Sequence, residues 1–402
     1  MHFKKDRWVM AVAMGCLIAV VAGAFTLAIW LMPPLDTRAF GVAQVSYRHL
    51  NGWTSDLHGE ALEVLRRSCA VLGRKPLTLP MGPNAFAGHA GDWREPCTAA
   101  KFIDSRDHQA SRQFFETWFE PFLVSSNGDK TGLFTGYYEP TLSGSLTSSA
   151  EYRTPLFARP QDLVTVKLGA FGREWSGETI SGQVIDGQLQ PYATRAEIMA
   201  GALGDKGLEL VWVNDPIDAF FMHIQGSGQI ALPDGQIIRL GYASQNGHPY
   251  TSIGRELVRD GALSREAVTM QSIRAWLRSN PDRGREMINR NASFVFFRIN
   301  DRGGPIGAQN VVLTPERSLA VDRRFVPLGV PVWLETKVPT AKGEDKMWHR
   351  LMVTQDTGGA IRGPVRGDIF WGAGAEAAEV AGRMKHSGRY YILLPRALSL
   401  DL

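Results

Sequence analysis

Hydrophobic and polar positions change their period several times along the chain. Trp8 to Met32 carries no charged residue, follows Lys4, Lys5 and Arg7, and stops at Pro33-Pro34. From Leu57 the apolar positions Leu57, Ala61, Val64, Leu65, Ala70 and Leu72 keep helical spacing up to Gly73, which predicts a helix over 57–72. A second helix is predicted over 110–120. There Phe114, Phe115, Trp118 and Phe119 form an aromatic stripe that reads as core, and Pro121 ends it. Beyond Thr131 the texture turns to short β-branched and aromatic runs broken by Gly and Pro. Strands are predicted at 208–213, 229–232, 294–298, 311–313, 319–321, 331–338, 350–353 and 390–394, with helical interruptions at 270–277 and 375–384. So many punctuated strands and so few long helices indicate a mainly β chain, a barrel or a sandwich.

The uncharged segment is long enough for a bilayer core, which takes roughly 20 apolar residues. A cleaved signal peptide has a shorter apolar region. Ala22-Gly23-Ala24 resembles a cleavage site and Gly15-Cys16 a lipidation site, but the chain stays apolar beyond both. Residues 1–34 therefore read as an uncleaved transmembrane anchor, its basic end in the cytoplasm and the bulk exported; cleavage or lipidation is the alternative. Outside that segment only Cys69 and Cys97 remain. Export predicts a disulfide between them, the alternative being two reduced cysteines packed as small hydrophobes.

With 402 residues the chain is long for one domain, and its net charge of +4 comes from dispersed Lys and Arg. That dispersal argues against a nucleic-acid partner. The nine histidines show no His-x-His or i, i+4 pair, so no metal site is expected.

Three constellations carry candidate chemistry. In Thr135-Gly136-Tyr137-Tyr138-Glu139-Pro140 adjacent tyrosines on a strand point to opposite faces, one toward a core and one toward a groove. Gln225-Gly226-Ser227-Gly228 permits close backbone approach to a ligand, although on pattern alone a plain hairpin turn explains it better. The third is TQDTGGAIRGPVRGDIFWG over 354–372, with Asp356 and Asp368, together with Asp322 in Ala320-Val321-Asp322. Asp356-Thr357-Gly358 also opens the loop of an aspartic protease. That chemistry needs two such loops sharing one proton, and this sequence has a single Asp-Thr-Gly.

Taken together, TGYYEP (135–140), YATRAEI (192–198), FFMHIQGSG (220–228), NGHPYTSIGREL (246–257), SFVFFR (293–298), SLAVDRRFVPLG (318–329) and QDTGGAIRGPVRGDIFWG (355–372) closely resemble one family. It is the membrane-bound lytic murein transglycosylases of type A, with a C-terminal three-aspartate domain. The resemblance covers about 60–402. It implies a double-psi β-barrel from 35–139 and 304–402, with the three-aspartate part at about 310–396. A second β-rich domain, 140–303, would be inserted between them, and a glycan groove would lie between the two.

The implied reaction cleaves the β-1,4 bond between N-acetylmuramic acid and N-acetylglucosamine of peptidoglycan without water, leaving 1,6-anhydromuramic ends. By resemblance Asp368 is the catalytic acid, its pKa raised by burial beside Phe370 and Trp371. Asp356 is its supporting partner and Asp322 is peripheral. Thr135, Tyr137, Tyr138, Gln225, Ser227 and Trp371 are the expected substrate contacts. No cofactor is expected. The expected partners are peptidoglycan strands, the membrane through residues 1–34, and cell-wall synthesis complexes, with the chain tethered in the bacterial periplasm. The rival reading is a non-catalytic glycan-binding module of the expansin kind.

Overall fold

Helix α1, His58–Leu72, buries Ala61, Leu62, Val64, Leu65, Ser68, Cys69 and Leu72 along one face, as the spacing predicts, while Ala70 faces solvent. In the computed structural model, which describes residues 40–82, 86–172, 178–340 and 344–398, Cys69 is disulfide-bonded to Cys97 on α2, Arg94–Ala99. Helix α3, His108–Trp118, is capped by the Asp107 carboxylate, which accepts from the Ala110 amide. It ends two residues earlier than predicted. Phe119 and Glu120 are already extended at the start of a strand, because a residue preceding proline is driven out of the helical region.

Seventeen strands are described, numbered here in chain order. The outer ones are β1 (Phe40–Gln44), β2 (Phe119–Ser126), β3 (Gly132–Glu139), β13 (Ser318–Val321), β14 (Pro331–Pro339), β15 (Asp345–Asp356), β16 (Arg366–Ala373) and β17 (Lys385–Pro395). They form one sheet in the order β1-β2-β17-β14-β15-β13-β16-β3, and β3 pairs also with β17. That second pairing closes β17, β14, β15, β13, β16 and β3 into a ring, so these strands leave no free edge. Phe134, Leu319, Leu334, Ile369 and Tyr390 fill its interior, while Trp333 and Leu351, on the opposite face of their strands, join the outer layer where α1 and α3 pack.

At Glu139 the chain leaves the ring and, after Pro140, enters β4 (Thr141–Ser145) of a second sheet. Its other strands are β5 (Thr154–Phe157), β9 (Glu209–Val213), β10 (Gly228–Ala231), β11 (Ile237–Gln245) and β12 (Val295–Ile299), in the order β12-β11-β10-β4-β9-β5. A three-stranded sheet, β6 (Val164–Lys167), β7 (Thr179–Ile185) and β8 (Gln188–Pro191), stands beside it. Helices α4 (Pro216–Gln225), α5 (Ile253–Arg259), α6 (Met270–Ser279) and α7 (Pro281–Asn289) enclose a separate core around Phe220, Phe221, Leu257 and Leu277. Helix α8, Gly374–Arg383, follows β16.

The anchor predicted within 1–34 lies outside the described residues. Among those described, no helix is long and apolar enough to cross a membrane. The strand predicted at 311–313 makes only an isolated bridge, Ile306 with Val312. A tight turn closed by Gly307 N–H to the Val311 carbonyl, with Asn310 at φ 64°, takes up those residues instead.

Candidate active site

Asp356, Asp368 and Thr135 stand in one row across the ring. Asp356 on β15 is level with Ala320 on β13, Ala320 with Asp368 on β16, and Asp368 with Thr135 on β3. Residues level on neighbouring strands share a face, so the three side chains point the same way. The two aspartates are one strand apart, two inter-strand spacings or roughly 10 Å along the row. An irregularity in the β13–β15 pairing makes this possible: Leu319 faces Thr354 but Ala320 faces Asp356, so Gln355 is skipped. Gln355 turns toward α1 instead and is fully buried. Its amide nitrogen donates to Ser68 (2.9 Å), and its oxygen accepts from Ser318 (2.7 Å).

Around Asp368 the hydrogen bonds have a fixed direction. Arg366 Nη2 donates to Thr135 Oγ1 (2.8 Å), which commits the threonine proton to Asp368 Oδ1 (2.5 Å). Oδ2 has no hydrogen-bond partner among the described residues. Burial raises the Asp368 pKa, opposed by the Arg366 charge and by the Thr135 hydroxyl. Asp356 is more fully ligated. Its Oδ1 accepts from the Ala308 and Thr357 amides (2.8 and 2.9 Å) and its Oδ2 from the Tyr137 hydroxyl (2.9 Å). Burial, helped by the neighbouring Asp368 charge, raises Asp356 to about 6 against the pull of those three donors. Tyr137, two residues from Thr135 and so on the same face, packs its ring on Phe370 at 5.3 Å between centroids. Burial and the Asp356 charge keep its hydroxyl protonated, a permanent donor.

Asp322 belongs to the loop rather than to the row. It accepts from Arg324 Nε and Nη2 (3.1 and 2.7 Å) and from the Gly363 amide (2.7 Å). Burial raises its pKa, but Arg324 and Gly363 outweigh that and hold it below the ordinary value. Together with Thr357, whose hydroxyl donates to the Val321 carbonyl, it pins the 357–365 connection between the two acid-bearing strands.

Strand alternation sorts the expected substrate contacts. Thr135 and Tyr137 share the acid face. Tyr138 and Trp371 occupy the other one, where Tyr138 is buried and both pack with Ala377, Ala378 and Ala381 under α8. Neither side chain therefore stands in the acid row with Thr135 and Tyr137. The Gln225 amide oxygen accepts from the Tyr138 backbone N–H (3.0 Å), tying α4 to β3. Ser227 is half-buried in the turn before β10, with Gly226 at φ 79°.

Two contributors carried weaker sequence signals. Arg366 lies two residues before Asp368 on one strand, so alternation alone places it on the acid face. Ala308 acts through its backbone and lies 48 positions from Asp356, which no residue type announces. The arrangement provides a carboxyl with one oxygen held and one open, beside a second, hydrogen-bonded carboxylate. No hydrogen bond joins the two acids, so a proton-sharing protease dyad is absent.

Known proteins resemble the chain over most of its length. Residues 133–298 match the MltA specific insert domain and residues 317–394 the 3D domain. The membrane-bound lytic murein transglycosylase A of Escherichia coli K12 is 35% identical over 264 residues, 65% of this chain and 65% of that protein. The crystal structure of a membrane-bound lytic murein transglycosylase from Agrobacterium tumefaciens is 34% identical with a TM-score of 0.78, covering 89% of this chain and 98% of that one. E. coli MltA with bound chitohexaose is 28% identical, TM-score 0.64, covering 89% and 95%. By sequence and by fold, the chain belongs to the MltA family of membrane-bound lytic murein transglycosylases.

Proposed function

We propose that this chain is a lytic transglycosylase that cleaves the β-1,4 bond between N-acetylmuramic acid and N-acetylglucosamine in peptidoglycan and closes a 1,6-anhydro ring. The observation that carries this is the open Oδ2 of a half-buried Asp368 whose other oxygen is fixed by Thr135. Protonated Oδ2 donates to the leaving glycosidic oxygen as the bond from C1 breaks. The resulting carboxylate takes the proton of the 6-hydroxyl as that oxygen bonds to C1. One carboxyl serves both transfers, since ring closure is intramolecular and no water needs a second base. Hydrolytic glycosidases, by contrast, need a working pair. Asp356, kept in place by three donors, is ionised above about pH 6 and stabilises positive charge developing at C1. Asp322 is a positioning residue for the loop between them.

The closed ring is read as a double-psi β-barrel of 35–139 and 304–402, the 140–303 segment as an inserted domain, and the acid row as the floor of a glycan groove between them. Thr135 and Tyr137 are the substrate contacts on the acid face. Gln225 and Ser227 stand where β3 passes into the second sheet. The Cys69–Cys97 bridge fits an oxidising location, in keeping with tethering in the periplasm through residues 1–34.

Asp368→Asn tests the reading against a glycan-binding module. A lyase loses release of soluble muropeptides, by about 10²–10⁴-fold or more, while still sedimenting with sacculi. A binding module shows no release from the parent chain either.

A further inference from the structure

Among the described residues two arginines are almost completely buried, and only one has carboxylates to meet it. Arg317 donates to Asp56 (2.7 and 2.9 Å) and to Glu60 (2.9 and 3.0 Å). Arg195, 3% exposed, has no such neighbour. Its Nε donates to the Asn291 carbonyl (3.1 Å) and its Nη2 to the Ser293 carbonyl (2.7 Å), while the Phe220 and Phe294 rings flank it, each 5.0 Å away. Nη1 has no partner among the described residues. Burial, barely opposed by Tyr250, lowers the Arg195 pKa to about 9, as expected for a cation without a counter-charge.

Arg195 lines a cavity of about 600 Å³, inside the size range of small-molecule sites. Its walls are mainly apolar: Pro155, Met199, Ile217, Phe220, Leu277 and Ile288. Three arginines line it, Arg195, Arg278 and Arg285, against one carboxylate. That carboxylate, Asp215, is already taken up by the Ile217 and Asp218 amides and by Arg278. His223, also lining the cavity, is held neutral by burial and by the Arg195 charge. The site is thus an apolar chamber in which Arg278 is met by Asp215 and Asp218 and Arg285 by Asp282, while Arg195 meets no carboxylate.

We propose that this cavity binds a carboxylate carried on a small apolar body, with Arg195 Nη1 as the carboxylate's donor. A monoanion suits the single open guanidinium edge, and the apolar walls need a ligand with hydrocarbon to bury. Two sources share this chemistry: an alanine-terminated peptide and a short fatty acid. Binding itself stands apart from the glycan-cleaving reading; the peptide source rests on it, because peptidoglycan stems end in alanyl carboxylates.

The test is titration calorimetry on the full chain with N-acetyl-d-alanyl-d-alanine, octanoate and the amide of each. At least one acid is expected to bind, its amide at least tenfold more weakly. Arg195→Gln should lose at least tenfold in affinity. Ala200→Trp, which fills an exposed lining position, should abolish binding while sacculus cleavage continues. If Arg195→Gln does not fold, Ala200→Trp decides. Binding of the peptide acid assigns that source, and binding of octanoate alone assigns the acyl source. Failure of both acids at millimolar concentration, equal binding of acid and amide, or binding unaffected by Ala200→Trp would overturn the proposal.

Discussion

At the residue scale, Asp368 is held between opposing influences. Burial favours its protonated form, while Arg366 and Thr135 favour the carboxylate. Like charges disfavour each other's ionisation reciprocally, so ionised Asp356 also favours the proton on Asp368. The acid must be protonated to act, so kcat/KM falls as pH rises through its pKa. Replacing Asp356 by Asn removes the like charge and moves that limb to lower pH. Thr135→Val removes a hydrogen bond to the carboxylate and moves it to higher pH. A pH–rate profile of each variant checks the two directions; movement of both limbs the same way contradicts the assignment. Asp356 also bears on stability. A carboxyl raised to about 6 contributes stability below the unfolded value near 4 and loses it as pH climbs through 6. Asp356→Asn is therefore expected to stabilise the chain at pH 8 by up to about 3 kcal/mol, with the difference vanishing by about pH 4. Denaturant unfolding at both pH values measures this. The carboxylates and Thr135 were legible from the sequence. Alternation announced that the adjacent tyrosines face opposite ways, but not which is buried; Tyr138 packs under α8 and Tyr137 reaches Asp356.

At the scale of elements, the site depends on how closely α8 approaches β3. A side chain at Gly136 would place its first carbon 2.6 Å from Trp371 Nε1 and 2.9 Å from the Ala381 Cα. Backbone has little room to yield, so Gly136→Val should shift β3 and α8, lower Tm and reduce turnover through Thr135. Circular dichroism melting and muropeptide release together check it. The disulfide joins α1 to α2 across 28 positions. Loop-closure entropy puts its contribution at about 3–4 kcal/mol, so a Cys69→Ser, Cys97→Ser variant should unfold at correspondingly lower denaturant. The elements that periodicity named are nearly all present, most within a few residues of their predicted ends, but it named neither α4, α5 and α7 nor the strands β5–β8. It failed where local chemistry overrode pattern, at Phe119 before Pro121 and in the 305–313 turn. That turn also supplies the Ala308 amide to Asp356, a role carried by backbone and therefore silent in residue type.

Across the whole molecule, the N-terminal piece is bolted to the C-terminal strands by buried charge. Asp56 accepts from Arg317 and from the Leu351 amide, while Glu335 on β14 accepts from Asn51 and Arg389. Burial would raise the Asp56 pKa, but Arg317 and Leu351 outweigh it and hold it low. Stability from this contact is therefore present above the ordinary carboxyl value and lost as pH falls below about 4. Asp56→Asn leaves the Arg317 charge partly uncompensated and should cost about 3–5 kcal/mol at pH 7. The ring's closure through β3 could not be read from the strand pattern, since pairing between 132–139 and both 366–373 and 385–388 spans most of the chain. Resemblance, rather than periodicity, carried that expectation. The central claim is chemical, and product analysis tests it most directly. Residues 33–402 are incubated with purified peptidoglycan in H₂¹⁸O and the soluble muropeptides are weighed by mass spectrometry. The account predicts 1,6-anhydromuramic ends, one water lighter than reducing ends and free of ¹⁸O. Reducing ends carrying ¹⁸O would mean an activated water and a second working carboxylate, and would contradict it.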